Sequence, residues 1–391
     1  MVHSAIDLKL FYIIILFNLP LLILSWKFTL PKQYALVLVF IWVSGFLEVA
    51  FGPDLLPQYL KEVTGITIVS LYFYLYFRYV KYSVLQNFDI YARSAFWVSV
   101  LGIILCLAQS LWMQRFVPVK SILAEPAHFA TIIIPSFYYY AVTDKAIKHK
   151  RLRMITILIA LLLTLSSTGY LGLLLCAALI FRRKSLGLFL APLLVGVLFM
   201  AAYYSSEHFR LRVDDTVQSE STENVSHANL STYALVSNAY VAIRAFQERP
   251  LFGYGVGGHV IAHAKYIGDL PGANSLGDMA NLNAQDADSL LLRTLSEFGI
   301  AGMILLFIFL IKFWNSGNTV YSNVNRAVFI YLCLYLLREG NWFSPELYFF
   351  VWIYVLTATA SRHAANHSSA VSHYNKTLAG RGQTSNAHMP A

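Results

Sequence analysis

Long stretches of this chain are apolar without alternation. They run Leu8 to Trp26, Tyr34 to Phe51, Gly65 to Val80, Ala92 to Trp112 and Pro126 to Val142. Two shorter runs, Met154 to Leu165 and Thr168 to Phe181, are parted by Ser166 and Ser167, and Leu186 to Tyr204 follows. Beyond a long polar interval come Gly299 to Trp314, Ala327 to Leu337 and Leu347 to Ala360. A backbone N–H or C=O left unpaired in hydrocarbon is costly, and a helix satisfies both within one segment. About 20 apolar residues cross a bilayer core. The pattern therefore predicts an all-α fold, a polytopic membrane protein of about eleven transmembrane helices, with no strand periodicity and no internal repeat.

Divided this way, residues 1–204 carry eight spans, 205–288 form one large loop, 289–360 hold three more spans and 361–391 are a tail. The composition agrees: 58% of residues are hydrophobic and only 13% are charged, which excludes an ordinary soluble domain. The first helix lacks a small-residue cleavage site and reads as a retained span. Cys106, Cys176 and Cys333 all fall within spans, which leaves no disulfide framework or cysteine-rich metal site. The tail, rich in Ser, Asn, His and Ala, reads as a disordered cytoplasmic end.

A formal charge of +9 invites a nucleic-acid reading, but the basic residues sit on alternate loops. Lys145, Lys148, Lys150, Arg151 and Arg153 crowd one connection, Arg182, Arg183 and Lys184 the next but one, and Arg78, Lys81 and Arg93 an earlier one. The positive-inside rule makes that side cytoplasmic, which puts the N-terminus and the large loop outside and the C-terminus inside. From Ser205 to Phe298 there are six Lys or Arg against eleven Asp or Glu. The basic surplus is thus topology, and nucleic acid has no support as a partner.

A loop of this length calls for structure or work. Leu230, Tyr233, Ala234, Tyr240, Ile243 and Phe246 recur at helical spacing until Pro250 ends the run. A second helix is expected from near Asp286 or Asp288 through Leu295, meeting Gly299 at the mouth of the next span. Between them, Gly253, Gly255 and Gly258 match GxGxxG. Without a βαβ unit that spacing signals turns and close backbone approach, not a dinucleotide site. His259 and His263 stand four apart, as zinc ligands can, but no third ligand accompanies them, and neither a metal nor another cofactor is expected. Glu125 and His128 share a helix face at the outer end of the fifth span, either as a functional ionisable pair or as a packing contact. Arg244 and Glu248 are spaced for a solvated ion pair. Asp288, just before a leucine-rich run, suits a catalytic carboxylate or a helix N-cap.

The segments RAFQERPLFGYGVGG and DSLLLRTLSEFGIAG, with LAEPAHFA at Leu123 to Ala130 and LSSTGYLGL at Leu165 to Leu173, resemble the bacterial O-antigen ligase and Wzy-type polysaccharide polymerase superfamily. The resemblance spans about half of the chain. It implies a GT-C-type glycosyltransferase in the bacterial cytoplasmic membrane that joins undecaprenyl-pyrophosphate-linked repeat units at the outer face, in O-antigen, capsule or exopolysaccharide assembly. A chain-length regulator and a flippase would be its partners beside the lipid bilayer. Such a reaction needs cations for the departing diphosphate and a base for the acceptor hydroxyl. Arg244 and Arg249, with Arg210 and Arg293 as further cations and Gly253 and Gly255 shaping the turn, are the candidates for binding diphosphate. Asp288 or Glu125, the latter oriented by His128, are candidates for the base. Relatives often carry an arginine early in the first loop helix, and Asn229 to Tyr233 has none. Ligases of the superfamily typically show His and Asn where Asp288 and Ser289 stand, which favours a polymerase over a ligase acting on lipid A core. A lipid-linked oligosaccharide flippase is the alternative of another class.

Overall fold

A computed structural model of the chain describes residues 10–24, 30–51, 56–79, 83–123, 125–144, 146–181 and 230–362, with a few positions between 196 and 214. These residues contain helices and turns but no strand. The first seven helices are α1 (Leu10–Leu24), α2 (Lys32–Phe51), α3 (Leu56–Tyr79), α4 (Val84–Met113), α5 (Pro126–Val142), α6 (Lys150–Leu163) and α7 (Ser167–Phe181). The polar interval supplies α8 (Leu230–Glu248), α9 (His259–Tyr266) and two 3-10 segments, Ile267–Asp269 and Ala273–Asn281. The chain then forms α10 (Leu290–Lys312), α11 (Val320–Arg338) and α12 (345–362). The expected span Leu186 to Tyr204 lies largely outside the described residues, as does nearly all of the expected tail.

Local chemistry sets several boundaries. Ser83 and Gln86 form a reciprocal capping box that opens α4. Pro126 occupies the first turn of α5, where its fixed φ suits a helix and its missing N–H costs nothing. Among the described residues, α4, α10 and α11 are long and apolar enough to cross a membrane, and shorter apolar helices cover Phe11–Leu24, Lys32–Phe46 and Ser167–Phe181. Among the described residues, length and apolarity thus mark three helices as able to span by themselves.

The core centres on α5 and α11, with α4, α6, α7 and α10 packed around them. It is built on aromatic residues: Tyr138, Tyr139 and Tyr140 from α5 and Tyr331 and Tyr335 from α11 are buried, and the Tyr331 and Phe350 rings are 4.0 Å apart. Outward-facing side chains are also apolar. Leu111 and Trp112 on α4 remain 80% and 88% exposed, a face that suits lipid rather than water.

The loop is fastened to the bundle at a break in α10. Gly299 adopts φ 56° and ψ −147°, which frees two amides: Ile300 N–H donates to Pro250 O at 2.8 Å and Ala301 N–H to Leu251 O at 3.2 Å. A Cβ on Gly299 would lie 2.5 Å from Pro250 O, so the turn after α8 docks only against a glycine. Six residues before Gly299, Arg293 is buried between two carboxylates. Its Nε donates to Glu297 Oε1 at 2.8 Å, its Nη2 lies 3.0 Å from Glu62 Oε1, and its Nη1 donates to Gly340 O at 3.0 Å.

Replacing Arg293 by Met would leave Glu62 and Glu297 buried beside each other without a cation. We expect the Arg293→Met variant to lose about 3–5 kcal/mol of stability, read as an earlier thermal unfolding transition in detergent. An unchanged transition would refute the structural role assigned to this arginine.

Candidate functional site

Five chain segments converge at one end of the bundle: the start of α5, the start of α8, the turn before α10, the end of α11 and the start of α12. Their approach depends on Gly340, where a Cβ would stand only 1.6 Å from Asp286 O. That contact seats the 283–289 turn directly over the end of α11.

Asp288 sits in this turn. Ala287 and Asp288 both adopt left-handed backbone conformations, with φ 61° and 54°, which L residues visit reluctantly. Two such residues in succession mark a position that the surrounding structure holds by force. The N-cap of α10 is Ser289, whose hydroxyl accepts from Leu292 N–H at 3.4 Å and donates to Leu336 O at 2.8 Å. Asp288 is therefore released from the capping role that its sequence position allows. Its Oδ1 accepts from Asn283 Nδ2 at 2.9 Å, while Oδ2 lies 3.5 Å from Arg338 Nη1 and accepts no hydrogen bond.

Arg338 went unnoticed in the sequence because a cation in the last turn of a helix ordinarily just complements the helix dipole. In the structure its Nη2 donates to Ser231 Oγ at 2.6 Å, tying α8 to α11, and its Nε is buried without an acceptor. Beside it, Glu339 Oε1 is 3.1 Å from His128 Nδ1, and Glu346 Oε1 is 3.6 Å from His128 Nε2. His128 thus reaches across to α11 and α12 instead of pairing with Glu125, as the i,i+3 spacing suggested. Glu125 occupies the N-cap position of α5, is exposed and makes no side-chain cap bond. It is nonetheless close enough to oppose ionisation of Asp286 and Asp288.

Burial pushes the Asp288 carboxyl up to about 6; Arg338 opposes that rise, while Asp286 and Glu125 add to it. Asp286 is raised in the same direction, chiefly by burial. The site therefore gathers three of the expected groups, Asp288, Glu125 and His128, and adds Arg338, Glu339 and Glu346.

The other expected residues lie elsewhere. Arg244 rests over the Tyr240 ring and receives no ion pair from Glu248, which instead takes Lys265 Nζ at 2.5 Å. Arg249 lies over the Tyr254 ring, 4.4 Å from its centroid. Counting from Ser231 at 1.5 Å per residue, Arg244 is roughly 20 Å along α8 from the site and Arg249 farther. Arg210 is exposed in a separate short segment with Tyr203 and Asp214. Arg293, only 1% exposed, offers no face to a substrate. Gly253 and Gly255 have φ 63° and 73°, and a Cβ on Gly253 would meet Ser296 O at 2.5 Å. In this turn the Gly253, Tyr254 and Gly258 amides donate to Arg249 O, Ser296 O and Gly255 O. The close approach of Gly253 to Ser296 O docks the loop on α10.

Helix α9 was missed because eight residues between glycine-rich turns show little periodicity. His259 on it is fully buried, with Nδ1 2.8 Å from Ser296 Oγ and Nε2 3.0 Å from Asn238 Oδ1. Asn238 donates its amide protons to Ala234 O and Leu282 O, so its oxygen faces the histidine and fixes the proton on Nε2. Burial, with Arg293 and His263 nearby, holds the His259 imidazole down to about 3, so it stays neutral at working pH. Both ring nitrogens are engaged, and the described residues contain no group of three or more metal-ligating side chains.

An all-helical bundle with lipid-suited faces and ionisable groups gathered at one end defines an integral membrane protein with a polar site at the bundle's edge. Over residues 152–307 the chain matches the family model described as O-Antigen ligase. No curated protein matches the chain. The match covers α6, α7, the loop and the first part of α10. Asp288 lies inside it, while His128, Arg338, Glu339 and Glu346 lie outside and are joined to it only by the fold.

Because the folded state holds the Asp288 proton more tightly than the unfolded chain does, this residue favours folding at low pH. That contribution is lost as pH rises from 3.8 to about 6. The Asp288→Asn variant should therefore gain stability relative to the wild type through that window, measured by thermal unfolding at a series of pH values. A difference that does not change with pH would contradict the shift.

Proposed function

We propose that the protein is a polysaccharide polymerase that joins undecaprenyl-pyrophosphate-linked repeat units at the outer face of the bacterial cytoplasmic membrane, with about eleven spans and the 205–288 loop outside. The observation that carries this reading is a buried ion pair short of hydrogen bonds: Asp288 Oδ2 lies 3.5 Å from Arg338 Nη1 yet accepts no hydrogen bond, and Arg338 Nε has no acceptor. Buried polar groups without partners are rare in native proteins, and a ligand that supplies the missing bonds explains them.

In this reaction the acceptor hydroxyl oxygen bonds to the anomeric carbon of the donor chain. The bond from that carbon to the diphosphate oxygen breaks, and the hydroxyl proton passes to Asp288. A carboxylate that titrates near pH 6 suits this proton transfer, since it is ionised at neutral pH yet still basic enough to accept a proton. Arg338, rather than Arg244 or Arg249, meets the departing diphosphate, because a guanidinium stays charged and donates in a fixed plane to phosphate oxygens. His128, held by Glu339 and Glu346, and the exposed Glu125 border the same space and suit hydrogen bonds to sugar hydroxyls. A ligase is the second reading, favoured by the description of the matching family. The residues at the site serve either acceptor.

Purified protein in liposomes, given lipid-linked repeat units and no nucleotide sugar, is expected to lengthen the lipid-linked glycan. Asp288→Asn should lower the rate by about 10²–10⁴-fold and Arg338→Ala by a comparable factor, whereas Arg244→Ala should retain most activity. The wild-type rate should fall off below pH 6, where Asp288 becomes protonated. Glycan moved to lipid A core instead of a longer chain would overturn the polymerase reading, and full activity in Asp288→Asn would overturn the base.

A further inference from the structure

At the opposite end of α5 the bundle opens a second polar recess, unconnected with glycosyl transfer. Residues of α4, α5, α6 and the connection between the last two enclose a cavity of about 260 Å³ lined by Asp89, Arg93, Tyr140, Lys148 and Arg153 among others. The length of α5, about 25 Å at 1.5 Å per residue, separates it from the Asp288 site.

Three cations face this cavity against one carboxylate, and the carboxylate is already engaged: Asp89 Oδ1 accepts from Tyr139 OH at 2.6 Å. The cations are not neutralised in the same way. Arg153 lies between the Phe96 and Tyr140 rings, 5.8 and 5.9 Å from their centroids, and its Nη1 donates to Tyr140 OH at 3.4 Å, so its partners are uncharged. Arg93 and Lys148 are exposed, and among the described residues neither forms an ion pair. Aromatic contacts fix the Arg153 guanidinium without discharging it, which prepares it for an anion.

The surroundings decide which anion. Within about one helical turn of the lining residues in sequence, Ile90 and Trp97 on α4 and Leu152 and Ile155 on α6 are large, apolar and exposed. A free phosphate has no use for such a surface. A phospholipid does, because its headgroup phosphate fills the basic recess while its acyl chains follow the apolar faces of α4 and α6. We propose that this recess is a binding site for the phosphate headgroup of an anionic phospholipid in the leaflet opposite the Asp288 site. The site fixes the ends of α4, α5 and α6 at the membrane boundary. It rests on the chain spanning a membrane and is independent of the glycosyl-transfer reading.

The test uses the full chain reconstituted in bilayers of equal phosphatidylcholine and phosphatidylglycerol, extracted in mild detergent, with co-purifying lipid counted by native mass spectrometry. Wild type should retain phosphatidylglycerol in preference to phosphatidylcholine. The preference should fall roughly fivefold for each cation removed in Arg93→Gln and Lys148→Gln, since each lysine or arginine near anionic lipid contributes a comparable share. Arg151→Gln, an exposed neighbour that does not line the recess, is the control and should keep the wild-type preference. No preference in wild type, an undiminished preference in the Arg93→Gln, Lys148→Gln double variant, or an equal loss in the Arg151→Gln control would each overturn the site. Displacement of the lipid by millimolar inorganic phosphate would also overturn it, because the recess would then recognise phosphate without its chains.

Discussion

The structure turns on one buried cation. Arg293 pairs with both Glu62 from α3 and Glu297 from its own helix, and its third contact, to Gly340 O, holds the connection between α11 and α12. Neither carboxylate relies on Arg293 alone: Gln58 donates to Glu62 at 3.1 Å and Trp342 to Glu297 at 2.8 Å. Pairing is what makes these buried ions tolerable, since an uncompensated charge in the interior costs several kcal/mol. This network fixes the distance between elements far apart in sequence. Residues 62, 293 and 340 cannot separate without exposing a charge to a medium that cannot solvate it.

The candidate site stands on that constraint. Gly340 is gripped from one side by Arg293 and pressed from the other by the Asp286 backbone, so the end of α11 and the turn that carries Asp288 are positioned by a single residue. The left-handed conformations at Ala287 and Asp288 cost on the order of 1–3 kcal/mol each, and the rigid seat beneath them keeps the turn from relaxing. Ser289 removes the ordinary reason for an aspartate at this place by capping α10 itself. What remains for Asp288 is a half-buried carboxylate beside a guanidinium, held where chain folding alone would not put it.

Hydrophobic pattern made the helices legible, because uninterrupted apolarity is a property of each segment by itself. Pro126 and Pro250 marked boundaries for an equally local reason. The site was only partly legible. Asp288 was visible because it stands where the resembling ligases show a histidine, although its place before an apolar helix also suited a plain N-cap, and His128 because a histidine at a span end is costly without a role. Arg338, Glu339 and Glu346 were not visible, since charged residues at helix ends are what solvation and the helix dipole favour anyway. Arg293 misled in the opposite way: a positive charge between loop and span resembles a phosphate ligand until Glu62, 231 positions earlier in the chain, is seen to neutralise it. Arg244 and Arg249 were expected to bind diphosphate because they flank the turn at Pro250, but they stand at the far end of α8 from Ser231, which meets Arg338.

The excess of carboxylates at the site bears on how the proposed reaction ends. Among the described residues, Glu125, Asp286, Asp288, Glu339 and Glu346 outnumber the cations near them, Arg338, His128 and the more distant Arg293, so the site is acidic even after its ion pairs are formed. A glycan donor brings many hydroxyls, which carboxylates accept well, and a diphosphate shielded on one side by lipid and on the other by sugar. When the glycosyl bond breaks, the diphosphate gains negative charge at its freed oxygen while Asp288 becomes neutral by taking the proton. Arg338, relieved of its partner, then holds the diphosphate during bond cleavage. Once the proton leaves Asp288 the carboxylate returns, Arg338 is drawn back to it, and the spent carrier is repelled from the acidic surroundings. A single arginine paired with a titratable carboxylate thus favours the transition state over the bound product, which a cluster of permanently free cations would not do.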